Sequence, residues 1–204
     1  MVALREPRPV RRPPRNVPAY LVHEIMDGKP IYHKGYREVI SGTKTYEEIM
    51  GASSLQSEIV SYFSRFIFSF LNDDQYFAFM SEAGLHIDHR NNLANDIAIY
   101  DQKILTPEKI STKYADVPPK IVIEVDIEAD VFDIGESEYI YKKTRKMLDF
   151  GTEKVFWVLS SAQVVIVANH EKIETFHWHK SIELFDNQFF NIGAYLDKKG
   201  IIVK

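Results

Sequence analysis

Three charged side chains stand where apolar neighbours make charge expensive, and together they describe a site for metal-assisted hydrolysis. Lys143 lies in ESEYIYKKTRKMLDF, residues 136–150, whose first-turn acids and closing Gly151 predict a helix. At about 100° per residue, Tyr139, Ile140, Met147 and Phe150 share one face. Lys143 falls near the middle of that face, while Lys142 and Arg145 point away. A lysine sent into an apolar surface costs several kcal/mol unless it is paired. One reading is a snorkelling lysine with its head in water. The other is an acidic pocket beneath the helix.

KIVIEVDI, residues 120–127, offers acids for such a pocket. Period two puts Ile121, Ile123, Val125 and Ile127 on one face of a strand, and Val122, Glu124 and Asp126 on the other. Two acids inside an aliphatic strand are unusual, because ionised carboxylates are rarely buried without a partner. In NDIAIYD, residues 95–101, Asp96 stands at the mouth of a buried-looking run. Singly, each acid has an ordinary reading: Asp96 as a strand end, Glu124 as an arginine partner, Asp126 as an edge-strand charge. Beside an inward lysine on the next helix they form a constellation. Oxygen ligands from two strands, Asp96 and Glu124 with the Val125 carbonyl, suit Mg²⁺ or Mn²⁺. Asp126, and Glu58 in the first turns of an earlier helix, are second-rank candidates for a second metal or for holding the lysine.

Other chemistries find less support. The chain has no cysteine, so thiolate metal sites, thiol nucleophiles and disulfides are excluded. The seven histidines include His177-Trp178-His179, two imidazoles on one strand face without a third zinc ligand at sensible spacing. There is no glycine-rich phosphate loop and no GxSxG elbow. Ser53-Ser54 and Ser160-Ser161 read as cap and turn.

The elements that must position these residues follow from pattern. Tyr20–Val39, broken by Asp27-Gly28 and Gly35, predicts a small β-meander with an Asp-Gly hairpin turn. Residues 45–50 predict a short helix. Ser53-Ser54 caps a long helix over 54–71, with apolar residues at 55, 59, 62, 63, 66, 67, 70 and 71. Gly84–Asp88 and Leu93–Tyr100 predict a hairpin. A polar connection over 101–119 and the strand 120–127 precede the lysine helix. Val155–Leu159, Gln163–Ala168 and Ile173–Trp178 predict a meander, and Ser181–Lys204 weak strands.

With 204 residues and 45% hydrophobic content the chain suits one domain with a full core. No apolar run reaches the roughly 20 residues of a membrane span, which together with the lack of cysteine suggests a cytoplasmic protein. A net charge of −4 does not suggest a bulk nucleic-acid binder, yet it permits local contact through a patch and a metal. Residues 5–15 (REPRPVRRPPR) hold five arginines and four prolines and predict an extended arm, read either as a disordered tail or as an electrostatic arm for phosphates or an acidic partner. The expected organisation is an arm over 1–18 and a single domain over 19–204.

The order Asp-Gly, Ser-rich cap and long helix, hairpin ending in an Asp-aliphatic strand, Pro118-Pro119 before VIEV, then Lys143 eight residues before Gly151, resembles the Uma-two family. Those proteins are restriction-endonuclease-like members of the PD-(D/E)XK superfamily. The similarity spans roughly residues 21–178. It implies an α/β fold, a mixed twisted sheet flanked by helices with an N-terminal β-meander. It also implies a metal-dependent endonuclease acting on DNA, with Asp96, Glu124 and Lys143 at its centre. The superfamily's lysine normally stands two residues after the glutamate, where this chain has Asp126; the family moves it to the next helix. Asn95 replaces the usual proline, Asp126-Ile127 the usual Leu-Ser, Met147 a frequent tyrosine and Gln56 a frequent histidine.

In this reading Lys143 orients a water or neutralises developing phosphorane charge, and is needed for turnover but not for folding. Cleavage of two strands favours a homodimer. The alternative is a non-catalytic interaction module that keeps the nuclease fold, with Asp96, Glu124 and Lys143 as a structural ion pair.

Overall fold

A computed structural model describes residues 17–203 of the chain; the arginine-rich stretch lies outside them. Strands β1 (Val22–Met26) and β2 (Lys29–Tyr32) form a hairpin. Its Asp27-Gly28 turn has positive φ at both residues, as a tight hairpin turn needs. A short helix α1 (Tyr36–Ile40) and a 3₁₀ turn over Glu47–Ile49 lead to helix α2 (Ser54–Phe68). The Ser53 hydroxyl caps α2 by accepting the Gln56 amide at 3.1 Å. The long hairpin β3 (Tyr76–Asp88) and β4 (Asn91–Asp101) follows, then β5 (Ile121–Val125) and helix α3 (Glu136–Phe150). Strands β6 (Lys154–Leu159), β7 (Val164–Ala168) and β8 (Ile173–His177) complete an eight-stranded sheet. Strands β9 (Ile182–Phe185) and β10 (Gln188–Phe190) pair separately, ahead of helix α4 (Ile192–Lys198).

The strand order is β2-β1-β4-β5-β6-β7-β8, with β3 on the other edge of β4. Among the strands of the described residues only β5 and β6 pair in parallel, and α3 is the crossover that joins them. Period two on β5 separates two cores. Ile121, Ile123 and Val125 pack with Ile59, Phe63 and Ile67 of α2. Val122 packs with Tyr139, Met147 and Leu148 of α3. The face shared by Val122 and Glu124 is therefore the face that α3 covers.

The expected mixed sheet flanked by helices is present, with local corrections: the meander expected over Tyr20–Val39 is strand only to Tyr32 and gives way to helix α1. The strand predicted over 120–127 stops at Val125, because Asp126 adopts a left-handed φ of 62°. Asp126 thus does not continue the alternation that grouped it with Glu124. The long helix ends at Phe68 rather than at residue 71. Residues 192–198, expected as weak strand, form α4, whose Leu196 buries its side chain in the α2-side core.

Candidate active site

Strand β4 carries the site because one of its edges is interrupted. On that edge β1 pairs at Asn92, and β5 pairs from Ile97 to Ile99. Ala94, in register with Gly84 of β3 on the other edge, lies in this gap, and here its backbone meets side chains. Its carbonyl accepts the Lys143 ammonium at 2.6 Å, and its amide reaches Glu24 Oε2 at 3.4 Å. Side chains thus stand in for a missing strand.

Lys143 is 1% exposed. Its Nζ lies 3.0 Å from Glu124 Oε1 and 3.2 Å from Glu24 Oε2. Burial opposes the charge, but Glu124 and Glu24 outweigh it and hold the lysine proton well above the usual range. Tyr139, one turn earlier on α3, donates its hydroxyl to Glu24 Oε1 at 2.6 Å. The indole of Trp157 lies under the ammonium, 5.6 Å from Nζ to ring centre, and donates its N–H to Thr144 at 2.9 Å.

The β4–β5 register Ile97↔Ile123, continued by one residue, sets Asp96 opposite Glu124. Asp96 Oδ2 accepts the Val125 amide at 2.6 Å. Burial nonetheless raises the Asp96 carboxyl to about 6. Burial also pushes Glu124 up to about 8, with Lys143 opposing and Asp96 adding to the rise. Glu124 Oε1 has its ion pair but no hydrogen bond, so a buried carboxylate oxygen keeps unused acceptor capacity. Asp96, Glu124, Lys143 and His23 line a cavity of about 20 Å³, enough for one water-sized particle. Burial lowers His23 to about 4, which leaves its ring neutral at pH 7. Asp96 also borders an adjoining cleft of about 280 Å³, lined by His33, Gln56, Glu82 and Glu128.

The structure brings Asp96, Glu124 and Lys143 together, and Asp126 borders the same cavity, whereas Glu58 lies elsewhere. Asp126 turns both oxygens onto Ser160, accepting its amide and its hydroxyl at 2.7 Å each. Glu58 accepts the Tyr195 hydroxyl and pairs with Arg65 at 3.1 Å, between α2 and α4. The Val125 carbonyl accepts the Gln56 side-chain amide at 3.0 Å, so that oxygen is shared rather than free.

Glu24, Tyr139 and Gln56 are partners that the sequence reading did not assign. Glu24 carried a usable signal. In VHEIM, period two places Val22, Glu24 and Met26 on one face, the same acid-among-aliphatics pattern that marked Glu124.

The mixed sheet flanked by helices that carries this two-carboxylate site is a fold shared with a solved structure. The chain is similar to the crystal structure of "a putative nuclease belonging to DUF820" from Anabaena variabilis ATCC 29413. The TM-score is 0.64 at 16% sequence identity, over 85% of this chain and 89% of that one. The likeness is one of fold. No family model matches the sequence, and no curated protein matches it.

Proposed function

We propose that this chain is a nuclease of the PD-(D/E)XK type, akin to the Uma-two proteins, that hydrolyses phosphodiester bonds in DNA. The observation that carries this reading is the convergence of Asp96 and Glu124 with the buried ammonium of Lys143. The solved nuclease-like neighbour supports it. So does the position of Asp126, which occupies the superfamily's usual lysine place while Lys143 reaches Glu124 from α3.

The residues fit a divalent cation. Two carboxylates with raised pKa values and an underused Glu124 oxygen are short of positive charge. Mg²⁺ and Mn²⁺ keep several waters and are commonly held by one or two carboxylates. Asp96 and Glu124 would hold the ion, and it would supply charge to polarise a phosphate and acidify a bound water. Asp96, fixed through Oδ2 by the Val125 amide, borders the cavity. Lys143 donates a hydrogen bond to the Ala94 carbonyl and pairs with Glu24 and Glu124, all within 3.2 Å. It therefore acts on Glu124, opposing the rise that burial imposes on that carboxyl and orienting it, in place of the expected contact with water or phosphate.

The same enclosure of Lys143 favours a second reading, an interaction module in which the cluster is only an ion pair. Calorimetry with Mn²⁺ separates the two. The nuclease reading expects one site in the wild type, absent from Asp96→Ala and Glu124→Ala, with Mn²⁺-dependent cleavage of duplex DNA. Equal binding by all three proteins would sink it. Cleavage of both strands would further call for two copies of the chain.

A further inference from the structure

We propose that Glu24 is a positioning residue of this site, a second counter-ion that holds Lys143 so that Glu124 keeps oxygen capacity for a cation; this rests on the nuclease reading. Glu24 comes from β1, outside the β4–β5–α3 unit that carries the other groups. It is 3% exposed. A carboxylate is kept at such depth only with partners, and its hydrogen-bonding and ionic partners in the structure all belong to this cluster. Tyr139 donates to Oε1 at 2.6 Å; Lys143, at 3.2 Å, and the Ala94 amide, at 3.4 Å, approach Oε2. Tyr139 and Lys143 stand four residues apart on α3, so one helix face presents a hydroxyl and an ammonium to the same carboxylate.

Charge balance gives this arrangement its meaning. A structural ion pair needs one carboxylate for one lysine. Here one buried ammonium faces two carboxylates, and Asp96 stands beside Glu124. With Glu24 absent, Lys143 would lean on Glu124 alone and compete with a cation for its oxygens. With Glu24 present, the lysine is shared and anchored by the Ala94 carbonyl. The lysine is then divided between two carboxylates, and Glu124 with Asp96, not Glu24, borders the cavity.

Glu24→Gln keeps the shape and removes the charge; Tyr139→Phe keeps the charge and removes one hydrogen bond. Calorimetry with Mn²⁺ at one fixed pH should show affinity reduced roughly 10- to 100-fold in Glu24→Gln, as for other partners that orient a metal ligand. Tyr139→Phe should shift it less, in the same direction, and decides the matter if Glu24→Gln does not fold. A second readout needs no metal. The slowly exchanging ammonium resonance of Lys143, read by ¹⁵N NMR in metal-free protein, should be present in the wild type and lost in Glu24→Gln. A folded Glu24→Gln with wild-type Mn²⁺ affinity and an unchanged resonance would overturn the proposal. A wild type that takes up no Mn²⁺ overturns the nuclease reading instead. The resonance then still decides whether Glu24 holds Lys143: its loss supports that hold and its persistence refutes it.

Discussion

The Gln56 side-chain amide donates to the Val125 carbonyl at 3.0 Å and thereby ties the first turn of α2 to the end of the strand that carries Glu124. Gln56 is 4% exposed, and its amide also meets Glu128. The bond holds the same residue whose amide Asp96 accepts, so Val125 is tied on both its backbone groups.

Gln56→Ala should therefore cost about 1–3 kcal/mol, the penalty for leaving a buried acceptor unmade. Chemical denaturation followed by tryptophan fluorescence measures it. Gln56→Glu should cost more, because it places a second acid beside Glu128 and the strand-end carbonyl.

Asp96 and Glu124 predict an inverted acid response in metal-free protein. Both carboxyls are raised by burial, Asp96 from 3.8 to about 6 and Glu124 from 4.5 to about 8. Between those limits the folded state binds more protons than the unfolded one, so their contribution to stability falls as pH rises. Their share of the melting temperature should decline from about pH 4 to pH 8. Asp96→Asn should flatten the lower half of that decline, and a slope identical to wild type would refute the assignment.

Lys143→Met should destabilise the fold as well as abolish cleavage. The expectation that Lys143 matters for turnover alone does not survive its burial between two carboxylates. Removing one partner of such a cluster costs about 3–5 kcal/mol. Urea denaturation should show that loss, and Mn²⁺ should recover part of it by replacing the missing positive charge.

Residues 1–16 should act on nucleic-acid affinity rather than on folding. Val17 packs against Leu21, Tyr36 and Ile49, so a deletion ending at residue 16 spares that cluster. The melting temperature should hold, while the salt dependence of DNA binding flattens as arginine–phosphate contacts are lost. An unchanged slope would assign the arm another role.

Local pattern in the sequence was enough to delimit α3, to place Lys143 on its buried face, to set Glu124 on the opposite side of β5 from Val125, and to find the Ser53 cap. Each of these rests on neighbours within one or two turns, where backbone period alone dictates direction. The interrupted edge of β4, the reach of Glu24 to Tyr139 across 115 residues and the Gln56 tie across 69 belong to tertiary structure. Likewise, period two placed Asp126 with Glu124 until its left-handed turn gave it to Ser160, and Glu58 went to Tyr195 and Arg65. A buried charge chooses among partners by which backbone groups the sheet leaves unpaired, and only the assembled strands determine that.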